Sequence, residues 1–476
     1  MSHQTRRDFL KTGALSTLLL GSGIAIAGGC NAINRSGKTK NIIFLVSDGM
    51  SAGTLQMADT MLRRRDGRPS NWIRLLEEST LKGGLMDMAS ANRIVTDSAA
   101  AAASWGCGHR VNNGALNIGP DGTHYKPIQS VFRDAGKATG LVTTTEITHA
   151  TPAGFAVNVE SRGQGEDIAV QYLEREVDVL MGGGNNHYDP EMRGDERDLY
   201  EEHRQAGYFV AKTKGELMGG NASEGKVLGI FTNGHLPYTL DHLNTDDLLE
   251  NVPTLAEMTD LAIGNLSGNS NGFILQVEGG RVDHAAHSND VGGLLYDQIA
   301  FDDAIGVAMD FAQGRDDTLI IITTDHGNAN PGFNSAPDEN FDSIQNFRHT
   351  TNWIRGGLDE DSSLSEIRER VEYATGYEIT EEQADLYRQS ERGTYRATYG
   401  RMNSTSAVMG QIVANYCDVN WIGGSHTADY VELASFGPGS EALEGFVINT
   451  QLFNVMTEAA GVTDYVVDND QTVAHL

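Results

Sequence analysis

Three of the most apolar runs in this chain finish in acid. Ile42-Ile43-Phe44-Leu45-Val46-Ser47 runs into Asp48-Gly49. Phe273-Ile274-Leu275-Gln276-Val277 passes Glu278 and reaches Asp283-His284, and Leu319-Ile320-Ile321-Ile322 leads through two threonines to Asp325-His326-Gly327. Short, continuous runs of this kind are the pattern of strands covered on both faces, as in a parallel sheet with crossover helices. Strands are expected over residues 41–47, 139–144, 177–181, 272–277 and 318–323, with helical patterns at 97–105, 253–266, 301–311 and 380–389. The last of these opens with Thr380-Glu381-Glu382, an N-cap followed by an acidic first turn. The fold class is α/β, a large and mostly parallel central sheet with helices on both faces. In open sheets of this type ligands bind outside the carboxyl ends of the strands, so the three acidic endings should converge.

The 476 residues suffice for one large domain or two to three smaller ones. Residues 330–419 are polar and acidic with no strong strand pattern, and are expected to form an inserted peripheral region, helical where ordered. With Asp+Glu 65 against Lys+Arg 35 and a net charge of −30, the chain repels phosphate backbones and anionic lipid, so nucleic acid is not an expected partner. A small phosphorylated anion remains possible, because a metal ion inverts the local potential. Three cysteines (Cys30, Cys107 and Cys417) are too few for a disulfide framework, and Cys107 and Cys417 are expected to be buried free thiols.

A single Asp after a strand is ordinarily a turn or cap residue. Three such carboxylates, two followed directly by His, point instead to a metal centre, since mixed Asp and His donors suit a zinc-type ion. Asp283 and His287 are four apart, one helical turn, and so share a face. Thr96-Asp97-Ser98 precedes five alanines, Ala99 to Ala103. It reads either as a plain helix start capped by Asp97 or Ser98, or as a nucleophile at a helix N-terminus, where unpaired N–H groups favour an oxyanion or phosphate. A serine beside a metal ion needs no histidine base, because coordination lowers the pKa of its hydroxyl.

Six segments occur in one order: Asp48-Gly49-Met50; Thr96-Asp97-Ser98-Ala99-Ala100; His149-Ala150-Thr151-Pro152-Ala153; Val277-Glu278-Gly279-Gly280-Arg281-Val282-Asp283-His284; Thr324-Asp325-His326-Gly327; and Gly424-Ser425-His426-Thr427-Ala428-Asp429. Together they resemble alkaline phosphatases, the two-zinc phosphomonoesterases, over residues 41–181, 226–328 and 419–453. The resemblance implies one Zn2+ held by Asp283, His287 and His426, and a second held by Asp48, Asp325 and His326 with Ser98 as its exchangeable partner. It also implies a third, Mg2+-type site at Asp48, Thr151 and Glu278. Arg162 matches the arginine that clamps phosphate, and Asp97 the residue that orients it. Hydrolysis of small phosphate monoesters through a phosphoserine at Ser98 follows, as does a homodimer. His149 and His284 stand where the best-known bacterial members have Asp and Lys; they serve either as outer hydrogen-bonding groups or, through imidazole at His149, draw the third site towards Zn2+ or Co2+. The remaining histidines receive no role. Competing readings are a phosphodiesterase on the same metal core, a sulfatase, and a metal- or phosphate-binding lipoprotein without turnover. Arg162 and the Glu278/Thr151 site count against the first, the lack of a modifiable Cys-x-Pro-x-Arg type motif against the second, and intact Ser98 against the third.

The N-terminus carries an address. Thr5-Arg6-Arg7-Asp8-Phe9-Leu10-Lys11 followed by an uncharged stretch to Gly29 resembles a twin-arginine export signal, and Ala27-Gly28-Gly29-Cys30 a lipoprotein cleavage site. Residues 1–29 are thus expected to be signal, residues 30–40 a tether, and residues 41–476 the catalytic domain. That domain would be exported to the periplasm or cell surface, with a lipid anchor at Cys30. Replacing Arg6-Arg7 with Lys-Lys is expected to stop translocation, read as the fraction of the protein left in the cytoplasm; unchanged export would make the arginine pair incidental.

Overall fold

The computed structural model describes residues 39–465 and Val467, Asn221 excepted. The expected export signal and Cys30 lie outside these residues. Eight strands precede the metal-type motif at Asp325: β1 (Asn41–Val46), β2 (Lys82–Asp87), β3 (Ala138–Glu146), β4 (Val179–Gly183), β5 (Tyr208–Ala211), β6 (Lys226–Ile230), β7 (Phe273–Glu278) and β8 (Thr318–Thr323). Four two-residue pieces follow, β9 (Gly327–Asn328), β10 (Gly332–Phe333), β11 (Val419–Asn420) and β12 (His426–Thr427), and then β13 (Val431–Phe436) and β14 (Gly445–Ile448). Ten of the strands form one sheet in the order β14-β2-β13-β8-β1-β7-β3-β4-β6-β5. Only β13 runs antiparallel to its neighbours; the other pairings are parallel.

The apolar runs divide their side chains between two cores. Ile43 and Leu45 of β1 join Leu275, Val277, Ile320 and Ile322 on one face. Ile42, Phe44 and Val46 join Ile274, Leu319 and Ile321 on the other. Each of these side chains is fully buried, which is why these strands read as continuous rather than alternating. The helices Ala52–Asp66, Leu255–Leu266 and Val291–Ala312 cover the first face, and Ser98–Cys107, Ile128–Asp134, Ala150–Ala156 and Gln451–Ala459 the second. Among the described residues no helix is long and apolar enough to cross a membrane.

The five expected strands are present, and β2, β5, β6, β13 and β14 are additional. β2 carries Gly83-Gly84 and buries only its last two residues, so its sequence shows neither alternation nor a continuous apolar run. The helix expected from residue 301 begins ten residues earlier, at Val291, where the Asp290 carboxylate accepts from the Gly293 amide at 3.0 Å. Gly292-Gly293 in its first turn hides this start, and packing overrides their low propensity. Cys107 and Cys417 are buried free thiols, and burial pushes both up to about 12.

Residues 330–419 are largely helical, with Leu364–Thr375, Glu381–Glu391 and Thr405–Cys417 the longest pieces. Their apolar side chains, among them Ile354, Ile367, Tyr387 and Val413, belong to the same cluster as the first face of the sheet. Two buried carboxylates fasten the region. Asp241 accepts from the Thr350 amide and hydroxyl at 3.0 and 2.6 Å, and Asp290 from the Thr351 amide and hydroxyl, both at 2.7 Å. At its base β10 pairs with β11.

The alanine run is explained by a close helix crossing. Ser98–Cys107 is buried along its whole length. A Cβ at Gly106 would lie 2.0 Å from the Gly154 carbonyl oxygen, and one at Gly154 would lie 2.5 Å from Ala102 Cβ. The backbones of Ser98–Cys107 and Ala150–Ala156 therefore touch, which fixes Ser98 relative to Thr151. Gly106→Ala is expected to destabilise the protein by about 3 kcal/mol and to lower activity. The midpoint of urea unfolding measures the first, and an unchanged midpoint would mean that the two helices separate freely.

Candidate metal and phosphate site

Val46 of β1 is level with Glu278 of β7 on one side and Thr323 of β8 on the other. Adjacent strands lie about 4.8 Å apart, so Asp48, Glu278 and Asp325 leave three neighbouring strand ends together. All three are fully buried, and Asp283, on the helix Arg281–His287 just after β7, is 5% exposed. Gly49 makes the turn at φ +71°, and a Cβ there would lie 2.5 Å from Asp283 Oδ1, so only glycine lets Asp283 approach.

The expected site residues come together around these carboxylates. His326 Nε2 lies 3.1 Å from Asp325 Oδ2, 3.7 Å from Asp48 Oδ1 and 3.4 Å from Ser98 Oγ. Asp283 faces His287 Nε2 at 3.3 Å and His426 Nε2 at 3.6 Å. The Thr151 hydroxyl donates to Asp48 Oδ2 at 3.4 Å, and His149 Nδ1 lies 3.7 Å from Glu278 Oε1. The second oxygen of Glu278 accepts from the hydroxyls of Thr143 and Thr145. Arg162 Nη1 donates to Asp97 Oδ2 at 3.2 Å, while the other oxygen of Asp97 caps the serine helix by accepting from Ala100 N at 3.0 Å.

These donors fit metal ions. Asp48 Oδ1, Asp325 Oδ2, Glu278 Oε1 and His149 Nδ1 are buried with no hydrogen-bond partner, a costly state for polar atoms unless a cation satisfies them. Donor atoms of Asp48, Asp325 and His326 lie within 4.8 Å of one another, as do those of Asp48, His149 and Glu278, and of Asp283, His326 and His426. Two imidazoles are already aimed. His287 Nδ1 donates to the Gly424 carbonyl at 2.9 Å and His426 Nδ1 to the Thr96 carbonyl at 3.0 Å. A carbonyl only accepts, so each ring carries a proton on Nδ1 and presents Nε2 inward, the two nitrogens 3.1 Å apart, where a metal ion would displace any proton on Nε2.

Electrostatics say the same. Burial, reinforced by Asp325, pushes the Asp48 carboxyl well above its ordinary range. Burial, reinforced by Asp283, pushes Asp325 up to about 8. Burial opposes the charge of Asp283 too, but His287 and His426 hold it well below the usual carboxylate range. In return, and against its own burial, His287 is held up at about 9 by Asp283. Burial and then His426 keep His326 well below the usual imidazole value, leaving it neutral and able to ligate.

Three partners were not legible. His235 accepts from the Glu146 amide at 3.0 Å and its ring lies 4.5 Å from that of His284 and 5.7 Å from that of His149. It stands in a turn after β6, itself unmarked in the sequence. Arg281 Nη1 donates to His284 Nδ1 at 2.8 Å; burial first, then this guanidinium, hold His284 well below the usual imidazole value. Asn328 Nδ2 donates to Asp283 Oδ1 at 2.7 Å.

In chelated protein the raised groups set the pH response. Asp325 binds its proton more tightly folded than unfolded, and so does His287, so each stabilises least at high pH. The Asp325 contribution is lost between the ordinary carboxylate range and about 8, and that of His287 from about 6.5 up to about 9. The melting temperature of the chelated protein is therefore expected to fall by several degrees between pH 6 and 9, and that of zinc-refilled protein to hold. Parallel curves for the two would remove the carboxylate cluster as the cause.

Comparison with known proteins agrees with this geometry. A family model described as alkaline phosphatase matches residues 39–462, running through the 330–419 stretch that the six sequence segments leave uncovered. Alkaline phosphatase 4 of Bacillus subtilis is 30% identical over 431 residues, 88% of each chain. The repressible alkaline phosphatase of Saccharomyces cerevisiae is 34% identical over 322 residues, 61% of this chain and 55% of its own. The crystal structure of Thermus thermophilus alkaline phosphatase superimposes with a TM-score of 0.84 at 34% identity, covering 89% of this chain and 92% of that one. With its family match, its ten-stranded sheet and its acidic strand ends in agreement, the chain belongs to the alkaline phosphatase family and is a phosphatase acting on phosphate monoesters.

Proposed function

We propose that the protein hydrolyses phosphate monoesters in a metal-dependent reaction that passes through a phosphoserine at Ser98. The observation that carries this reading is the position of the Ser98 hydroxyl, 3.4 Å from His326 Nε2 at the N-terminus of a buried helix whose cap, Asp97, also holds Arg162. Asp283, His287 and His426 would hold one Zn2+, and Asp48, Asp325 and His326 the other. Asp48, Thr151 and Glu278 would hold a Mg2+-type ion through oxygen, the donor that ion prefers. When bound, the zinc pair acidifies the serine hydroxyl and neutralises the entering and leaving oxygens of an in-line displacement.

The chain supplies the rest. Arg162 offers a planar fork to two phosphoryl oxygens, and Asp97 fixes the plane of that fork. The Ser98 oxygen attacks phosphorus as the alcohol departs with a proton. Water then attacks the phosphoserine from the opposite side, releasing inorganic phosphate and restoring the hydroxyl. None of these roles engages the alcohol, so broad substrate use follows. Export, a lipid anchor at Cys30 and association into a homodimer complete the reading and rest on the sequence and its resemblance.

Hydrolysis of p-nitrophenyl phosphate by the purified protein is expected to vanish on chelation and to return with zinc plus magnesium. Ser98→Ala should keep its metal content, measured by mass spectrometry, and lose roughly a thousandfold or more in turnover. Turnover within tenfold of the parent would remove the phosphoserine step, and activity indifferent to chelation would remove the metal centre.

A further inference from the structure

A cavity of about 210 Å³ opens on the first face of the sheet, between the helices Thr239–Leu243, Leu255–Leu266 and Val291–Ala312. Its wall is mostly apolar, built from Leu236, Leu243, Val252, Leu255, Ile299 and the ring of Tyr296. Protein interiors leave few voids larger than a water molecule, and an apolar cavity of roughly 150 Å³ already holds benzene.

The polar groups on the wall are committed to protein partners. The Thr239 hydroxyl donates to Asp297 Oδ1 at 3.1 Å, and the Thr254 hydroxyl accepts from the Glu257 amide at 3.2 Å. The Thr144 hydroxyl accepts from the Arg281 amide at 3.2 Å, and His242 Nε2 donates to the Leu248 carbonyl at 3.0 Å. Burial holds His242 below the usual imidazole value, so its ring is uncharged at neutral pH. At the mouth Arg65 is paired with Asp66 through Nε and Nη2, at 2.7 and 2.8 Å, and Asp303 lies 3.7 Å from Arg68 Nη2. A charged molecule would give up its hydration here and find no free counter-charge. What the wall rewards is apolar area.

The floor of the cavity is also the back of the catalytic layer. Thr144 lies between Thr143 and Thr145, whose hydroxyls hold Glu278. The Thr144 carbonyl accepts from the Leu236 amide at 3.0 Å, and Leu236 follows His235, whose ring stands against those of His149 and His284. We propose that this cavity is a binding site for a neutral, ring-sized apolar molecule, and that its occupant buttresses the end of β3 and the turn after β6. The site takes no side chain from the metal and phosphate groups, so its occupant and phosphate bind together.

The test uses the whole protein with its metal ions, and toluene as the probe, with inorganic phosphate present to fill the catalytic site. Calorimetry should show saturable binding of toluene at a single site. Benzoate and benzylamine, which carry a charge beside the same ring at neutral pH, should bind roughly tenfold more weakly or worse. In hydrogen exchange the Leu236 amide should slow several-fold when toluene is bound. Ala300→Leu, which fills the cavity from the helix Val291–Ala312, should lose the site. Absence of saturable binding, displacement of toluene by phosphate, or full binding to Ala300→Leu would overturn the site. Equal binding of benzoate would overturn the preference for neutral molecules, and an unchanged Leu236 amide would overturn the buttress. Should Ala300→Leu not fold, Ala256→Leu fills the same space from the neighbouring helix and is read in the same way.

Discussion

Four buried carboxylates within one cluster are the constraint on which the structure turns. Asp48, Glu278, Asp283 and Asp325 leave the ends of β1, β7 and β8 or the helix just beyond, and nothing in the described chain neutralises them all. Two of the four respond by rising far above the ordinary carboxylate range, and one is held down only by the histidines beside it. Such a cluster is stable as ionised carboxylates only if cations share the space. A net charge of −30 on the whole chain makes the same demand at longer range, because a phosphorylated anion can approach this site only where local positive charge exceeds the surrounding negative field.

The sheet and the helix crossing serve that cluster in different ways. Parallel register sets where the acids emerge, and the hydrogen bonds of three adjacent strands leave little freedom to move them apart. The serine is placed by packing alone. Alanines and the Gly106–Gly154 contact bring its helix onto Ala150–Ala156, so Ser98, Thr151 and His149 are positioned as one unit. Asp97 then joins that unit to Arg162, spending one oxygen on the helix cap and the other on the guanidinium.

What the sequence made legible follows from what the sheet buries. β1, β7 and β8 lie in the middle, covered on both faces, and show as uninterrupted apolar runs; the acids at their ends are the site. β2 and β14, at the edge, and β13, reversed beside them, mix exposed and buried positions and leave no periodic trace. Asp48, Asp283 and Asp325 could be read as a converging set from their strand endings, but dividing them between ions required the resemblance, since spacing along the chain does not say which imidazole faces which carboxylate. His235 and Arg281 were invisible because their partners, Glu146 and His284, are brought near only by the folded loops. The contact of His149 Nε2 with Arg162 Nη2 was invisible for the same reason: it depends on Arg162, thirteen residues on, folding back across the site.

The long helical stretch between β9 and β12 has a structural consequence of its own. His326 and His426 are separated by nearly a hundred residues, yet β9 pairs with β12 so that Asn328 and His426 are direct partners. The two imidazole rings stack at 3.6 Å. The intervening chain is not a decoration hung on a finished domain, because its apolar side chains complete the core of one face and Asp241 and Asp290 bind its start from beneath. Opening of this stretch would carry His426 away while leaving Ser98 and Arg162 on their own helix and loop. A cation shared by Asp283, His287 and His426 would close the ladder from the other side, holding the helix after β7 to the strand that follows the stretch. Metal binding and the closure of residues 330–419 are then coupled, since an ion at Asp283, His287 and His426 favours the closed stretch over the open one.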